Sequence, residues 1–112
     1  MRILFIVTAS IAIKKCNEIF KKLTLNQIYI DCIITDNAKK MTNIKDLQKI
    51  IKGKIYTNSS EKNNKMLHIE LTRKNNLIVV CPATANIIAK LANGFADDLA
   101  STSLIASNKQ II

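Results

Sequence analysis

Two stretches of this chain, Ile3-Leu4-Phe5-Ile6-Val7 and Leu77-Ile78-Val79-Val80-Cys81, are apolar at every position. A strand with one wet face alternates apolar and polar residues, whereas a strand covered on both faces does not. Both runs therefore predict strands buried on two sides, with a layer of helices over each face. Between them, Ile11, Ala12, Cys16, Ile19, Phe20 and Leu23 recur at helical spacing, with Lys14, Lys15, Lys21 and Lys22 turned outward. Ile28 to Thr35 predicts a second strand, and residues 36–51 a helix with Met41, Ile44, Leu47, Ile50 and Ile51 facing inward. Lys52 to Lys65 reads as mostly loop with a short strand at Ile55-Tyr56, and Met66–Arg73 as a short helix. Thr84–Ala92 predicts a helix closed by Asn93-Gly94, a common C-terminal stop. Asp97-Asp98 open a last helix through about Ser107, and Gln110-Ile111-Ile112 begin a further strand. The expected architecture is α/β: a three-layer, Rossmann-like or flavodoxin-like fold with a parallel sheet, occupying residues 1–112 as one domain.

Composition removes several other function classes. No stretch approaches the ~20 apolar residues of a membrane span, so no membrane role is expected. Arg2 followed by Ile3–Ile13 has the polarity of a secretion signal, but Thr8 and Ser10 interrupt the run. Lys14-Lys15 then stand where a small-residue cleavage site belongs. The three cysteines, Cys16, Cys32 and Cys81, are odd in number and widely spaced. They suggest neither a disulfide framework nor a metal site, and they fit a reducing, cytoplasmic compartment. The net charge of +9 raises the question of nucleic acid, yet only two of the 17 basic residues are Arg and Trp is absent. Bidentate readout and base stacking both lack their residues. Ile, Lys and Asn make up 47 of the 112 residues, so the charge is read as solvated helix faces and no nucleic-acid partner is expected.

In open parallel sheets, ligands bind beyond the carboxyl ends of the strands. That selects Thr8-Ala9-Ser10, Thr35-Asp36-Asn37 and Pro82-Ala83-Thr84-Ala85-Asn86. Ser10 and Thr84 each stand between a buried strand and a helix. There a hydroxyl caps the helix and the free N–H groups favour an anion such as phosphate. One capping residue alone reads as a cap; two at one sheet edge favour a phosphate site over either taken singly. His68 is the single histidine and can serve as a base near neutral pH or as a packed structural residue. Asp97 and Asp98 read equally as paired acids or as ordinary helix caps.

Three segments together resemble the homo-oligomeric flavin-containing cysteine decarboxylases. These are Thr8-Ala9-Ser10-Ile11-Ala12-Ile13-Lys14, Met66-Leu67-His68-Ile69-Glu70-Leu71-Thr72-Arg73 and the long stretch from Pro82 through Asn93-Gly94-Phe95-Ala96-Asp97-Asp98-Leu99. The resemblance implies FMN as cofactor. Ala9 and Ser10 would touch its phosphate, Thr35 would lie by the flavin, and Thr84, Ala85 and Asn86 would complete the site. It implies His68 as catalytic base, 4′-phosphopantothenoylcysteine as the small-molecule substrate, and a homotrimer or higher oligomer with FMN between subunits. The implied chemistry is flavin-mediated oxidation of the cysteinyl C–S group to a thioaldehyde, followed by loss of the carboxylate. Where these decarboxylases usually carry two glycines in the first turn, this chain has Ala9-Ser10. The chain also stops at Ile112, before the family's Pro-x-Met-Asn motif and a later flap. The expectation is a truncated or split form that binds FMN but decarboxylates only with a separately encoded C-terminal segment. A non-catalytic FMN-binding or regulatory remnant is the second reading. A flavin prenyltransferase-like protein is the third, disfavoured by Pro82-Ala83-Thr84-Ala85-Asn86.

Overall fold

The computed structural model describes residues 1–62 and 64–112; Asn63, within the predicted loop 52–65, lies outside the described residues. Strand β1 (Arg2–Val7) is followed by α1 (Cys16–Leu25), β2 (Tyr29–Ile34), α2 (Asp36–Lys39), α3 (Ile44–Ile50) and β3 (Ile55–Tyr56). Then come α4 (Leu67–Lys74), β4 (Leu77–Val80), α5 (Ala85–Asn93), α6 (Leu99–Ala106) and β5 (Gln110–Ile111). The strands lie side by side in the order β3-β2-β1-β4-β5, every neighbouring pair parallel. The chain therefore runs outward from β1 to one edge through β2 and β3, then restarts on the other side at β4. The crevice at that reversal, over the ends of β1 and β4, is where such sheets place ligands. Among the described residues, no helix is long and apolar enough to cross a membrane.

The uniformly apolar strands feed two cores, as their lack of alternation requires. Ile3, Phe5 and Val7 of β1 and Ile30, Cys32 and Ile34 of β2 face Phe20 of α1 and Leu47 of α3. The rings of Phe5 and Phe20 meet edge to face, 4.6 Å between centroids, a favoured aromatic geometry. Leu4, Ile6, Ile33 and Ile78 point the other way, against Leu71 of α4, Ile87 of α5 and Leu99 and Leu104 of α6.

Three expectations change. The helix predicted over 36–51 is two helices. Asn43 Oδ1 accepts from the Lys45 and Asp46 amides at 3.0 and 3.4 Å and so caps a new start. A local side-chain bond of this kind competes with helix continuation. Met41 falls in the break and is 44% exposed, not inward. Ile11 is 88% exposed, because Ser10 opens a 3-10 turn over Ile11–Lys15 before the α-helical period begins at Cys16. Finally, β4 is fully buried only at Ile78, its other three residues being half-covered. Its outer neighbour β5 pairs with Leu77 and Ile78 alone.

Gly53, just before β3, passes against the β2 backbone. A Cβ there would run into the Ile30 carbonyl oxygen and stand 2.6 Å from Asp31 Oδ1. Only glycine lets the chain approach this closely.

Candidate functional site

A cavity of about 490 Å³ opens above the carboxyl ends of the strands, within the roughly 300–1,000 Å³ range of small-molecule sites. Its floor is Thr8 and Ala9 at the end of β1. The Thr8 hydroxyl donates to the Pro82 carbonyl, joining the turn after β1 to the turn after β4. Thr35, Asp36 and Asn37 close the side above β2. Thr35 Oγ1 accepts from the Ala38 amide at 3.4 Å and so starts α2 at the cavity edge. On the opposite wall Thr84 Oγ1 accepts from the Ile87 amide at 3.3 Å, and Asn86, Ile87 and Lys90 of α5 line the space above it. The first turn of this helix leaves N–H groups and the positive end of its dipole at the cavity, a setting that favours an anion.

The outer wall is built from charge. Gly94 ends α5 in the left-handed region, at φ 71°, which glycine adopts without a Cβ penalty. The chain then returns to Asp97 and Asp98, whose carboxylates lie 3.0 and 3.5 Å from Lys90 Nζ. The hydrogen bond from Lys90 holds the Asp97 carboxyl below its ordinary value; the same bond raises Lys90, outweighing partial burial. Lys90 and Asp97 are therefore both charged at neutral pH. Asp98 also caps α6: its carboxylate accepts from the Ser101 amide at 2.8 Å, while the Asp98 amide donates to Ser101 Oγ at 3.1 Å. Asn58, after β3, lines the cavity and accepts from the Leu99 amide at 3.0 Å, so the same residue steadies the α6 start.

Of the residues selected from sequence, Thr8, Ala9, Thr35, Asp36, Asn37, Thr84 and Asn86 line this cavity together. Ser10 and Ala85 stand immediately beside lining residues without lining it themselves; Ser10 Oγ is engaged by the Ala12 amide at 3.2 Å. His68 occupies the first turn of α4, half-buried, outside the lining. Asn58, Ile87 and Lys90 were not selected. The rule that names residues after each strand would have reached Asn58 had it been applied to the short strand Ile55-Tyr56. Lys90 follows Asn86 by one helical turn and so shares its face.

The flavoprotein family model, described as "Flavoprotein", matches residues 1–111. Over 111 residues the chain is 32% identical to the coenzyme A biosynthesis bifunctional protein CoaBC of Bacillus subtilis, covering 97% of this chain and 27% of that protein. It is 31% identical over 107 residues to a probable phosphopantothenoylcysteine decarboxylase of Streptococcus mutans, covering 94% of this chain and 60% of that one. The chain thus spans about a quarter of the first relative and three fifths of the second. Among solved structures, the FMN-dependent cysteine decarboxylase TvaF of thioviridamide biosynthesis superposes with a TM-score of 0.92 at 18% identity, over 99% of this chain and 70% of that one. This last likeness confirms the parallel α/β fold expected from the apolar strands.

Proposed function

The chain belongs to the flavoprotein family, and from that premise we propose that its cavity binds FMN and serves decarboxylation of 4′-phosphopantothenoylcysteine to 4′-phosphopantetheine. Homology to the decarboxylases of coenzyme A biosynthesis supports the substrate. The observation that carries the reading is the convergence of three strand ends, at Thr8-Ala9, Thr35 and Thr84, on one cavity. Its donor set fits the cofactor. Threonine hydroxyls and the amides of Asn37, Asn58 and Asn86 suit a polyol chain and a heteroaromatic ring edge, and the first turn of α5 suits a phosphate. Flavin, when bound, supplies a two-electron acceptor for the cysteinyl C–S group. The chain's own part would be to hold the phosphate with Ala9, Ser10 and Thr84, to keep Thr35 beside the ring, and to fix the outer wall through the ion pairs of Lys90.

Titration of the purified chain with FMN tests this reading. Saturable binding is expected, and Thr84→Ala should weaken it about tenfold, the loss of one hydrogen bond to an anionic group together with the helix cap. A chain that neither carries nor takes up FMN would sink the proposal.

The same reading assigns the remaining side of the site to a second copy, in a trimer or larger assembly. Ile88 and Leu91 of α5 and Phe95, just past its end, support this: they are large apolar residues 57%, 40% and 61% exposed. Surface of this kind marks interaction faces. Sedimentation of the FMN-loaded chain should show a trimer or a multiple of it, and a monomer with FMN bound would refute the shared site.

A further inference from the structure

We propose that Cys16, at the start of α1, and Cys81, just after β4, form an oxidisable thiol pair, which a peroxide converts into a disulfide. Cys16 is the first residue of α1, and Cys81 directly follows β4 and precedes the turn that carries Thr84. They are 65 positions apart in sequence, yet Cys16 Sγ donates to the Cys81 carbonyl at 3.4 Å, and both pack into the same core cluster. Burial pushes the Cys16 thiol up to about 11, and the Cys81 thiol beside it adds to that. Both are free thiols.

The two differ in a way that sets the order of events. Cys81 is half-buried and Cys16 buried, so Cys81 meets the oxidant first. Its thiolate attacks one peroxide oxygen, the O–O bond breaks, and the second oxygen leaves as hydroxide, which becomes water. The resulting Cys81 sulfenic acid is attacked by the Cys16 sulfur, which gives up its proton; the S–O bond breaks and the hydroxyl departs as water. Two thiols and one hydrogen peroxide give one disulfide and two waters, the sulfurs losing two electrons and the peroxide gaining them. A basic thiol such as Cys16 is sparsely ionised but strongly nucleophilic once ionised, and its attack is intramolecular. Cys32 belongs to the same cluster but is fully buried on β2, where burial, then Cys16 and Asp31, push its thiol up; it stays outside the exchange.

The cross-link would tie the start of α1 to the strand-to-helix turn whose Pro82 carbonyl already receives the Thr8 hydroxyl. It needs no ligand in the cavity, so it stands or falls separately from flavin binding. The test is to expose the full chain to hydrogen peroxide, alkylate it under denaturing conditions, digest it and map the peptides by mass. The expected result is a peptide pair joined through Cys16 and Cys81 within one molecule, with Cys32 alkylated. The melting temperature should rise by several degrees, because the bond closes a long loop in the unfolded chain. Cys81→Ser should remove both signals and Cys32→Ser neither. Recovery of Cys81 as sulfinic acid beside an alkylated Cys16 would overturn the proposal. So would a pair involving Cys32, or two alkylated partners after an exposure that oxidises the methionines.

Discussion

Changing His68 to asparagine is expected to lower decarboxylation turnover by about 10²–10⁴-fold, the usual contribution of a positioned acid or base. FMN affinity should stay unchanged, because His68 lies outside the cavity that would hold the cofactor. This split between turnover and binding is the informative part. His68 sits in the first turn of α4, at the sheet edge from which the cavity opens, so on the proposed reading it acts on a substrate held between copies. The assay is carbon dioxide release from 4′-phosphopantothenoylcysteine by the FMN-loaded chain, alone and together with the part of the Streptococcus mutans relative that the chain does not span. Turnover that survives the substitution would remove His68 from the reaction. FMN affinity that collapses with it would place the residue in the cofactor site instead.

The second large effect concerns stability. Asp31 is wholly buried on β2, on the face covered by α4 and α6. Its carboxylate lies 3.2 Å from Lys74 Nζ and 3.8 Å from an Arg2 guanidinium nitrogen. It also accepts from the Lys54 amide at 3.1 Å and from the Asn75 side-chain amide at 3.3 Å. Removing one partner of a buried ion pair costs ~3–5 kcal/mol. Lys74 and Arg2 are 38% and 40% exposed and can turn to water, which puts Asp31→Ala near the low end, about 3 kcal/mol. Against a total of roughly 5–15 kcal/mol this is a large fraction, visible as a lower urea midpoint with unchanged slope. A midpoint like that of the parent would show that the cluster contributes nothing net.

The same cluster predicts a pH dependence with a definite sign. Burial works to lower Lys74, but the Asp31 carboxylate outweighs it and raises the group above its ordinary 10.5. A lysine raised on folding contributes stability that is complete below its unfolded value and is lost as pH climbs through the folded one. Stability should therefore fall above about pH 10.5, and Lys74→Met should flatten that decline.

Periodicity and caps were open to sequence reasoning wherever the controlling interactions were local. The unbroken runs Ile3–Val7 and Leu77–Cys81 required a doubly covered sheet, because an apolar residue at every position leaves no face for water. Thr84, Asp98 and Gly94 marked helix boundaries where the structure has them, since a cap acts within one turn of its own residue. Even local chemistry was missed where two signals competed. The apolar spacing over 36–51 continued past Asn43, whose side chain had already started a new helix.

What only the tertiary structure decided was which distant groups share a space. Nothing near Asp31 in the chain shows that Arg2, Lys54, Lys74 and Asn75 surround it, or that Gly53 must pass against its strand. The strand order, with β1 between β2 and β4, brings Thr8, Thr35, Asn58 and Thr84 to one cavity while leaving His68 outside it. That order follows from packing two apolar faces over the whole sheet, an energy summed over residues far apart in sequence, and no window of neighbouring residues contains it.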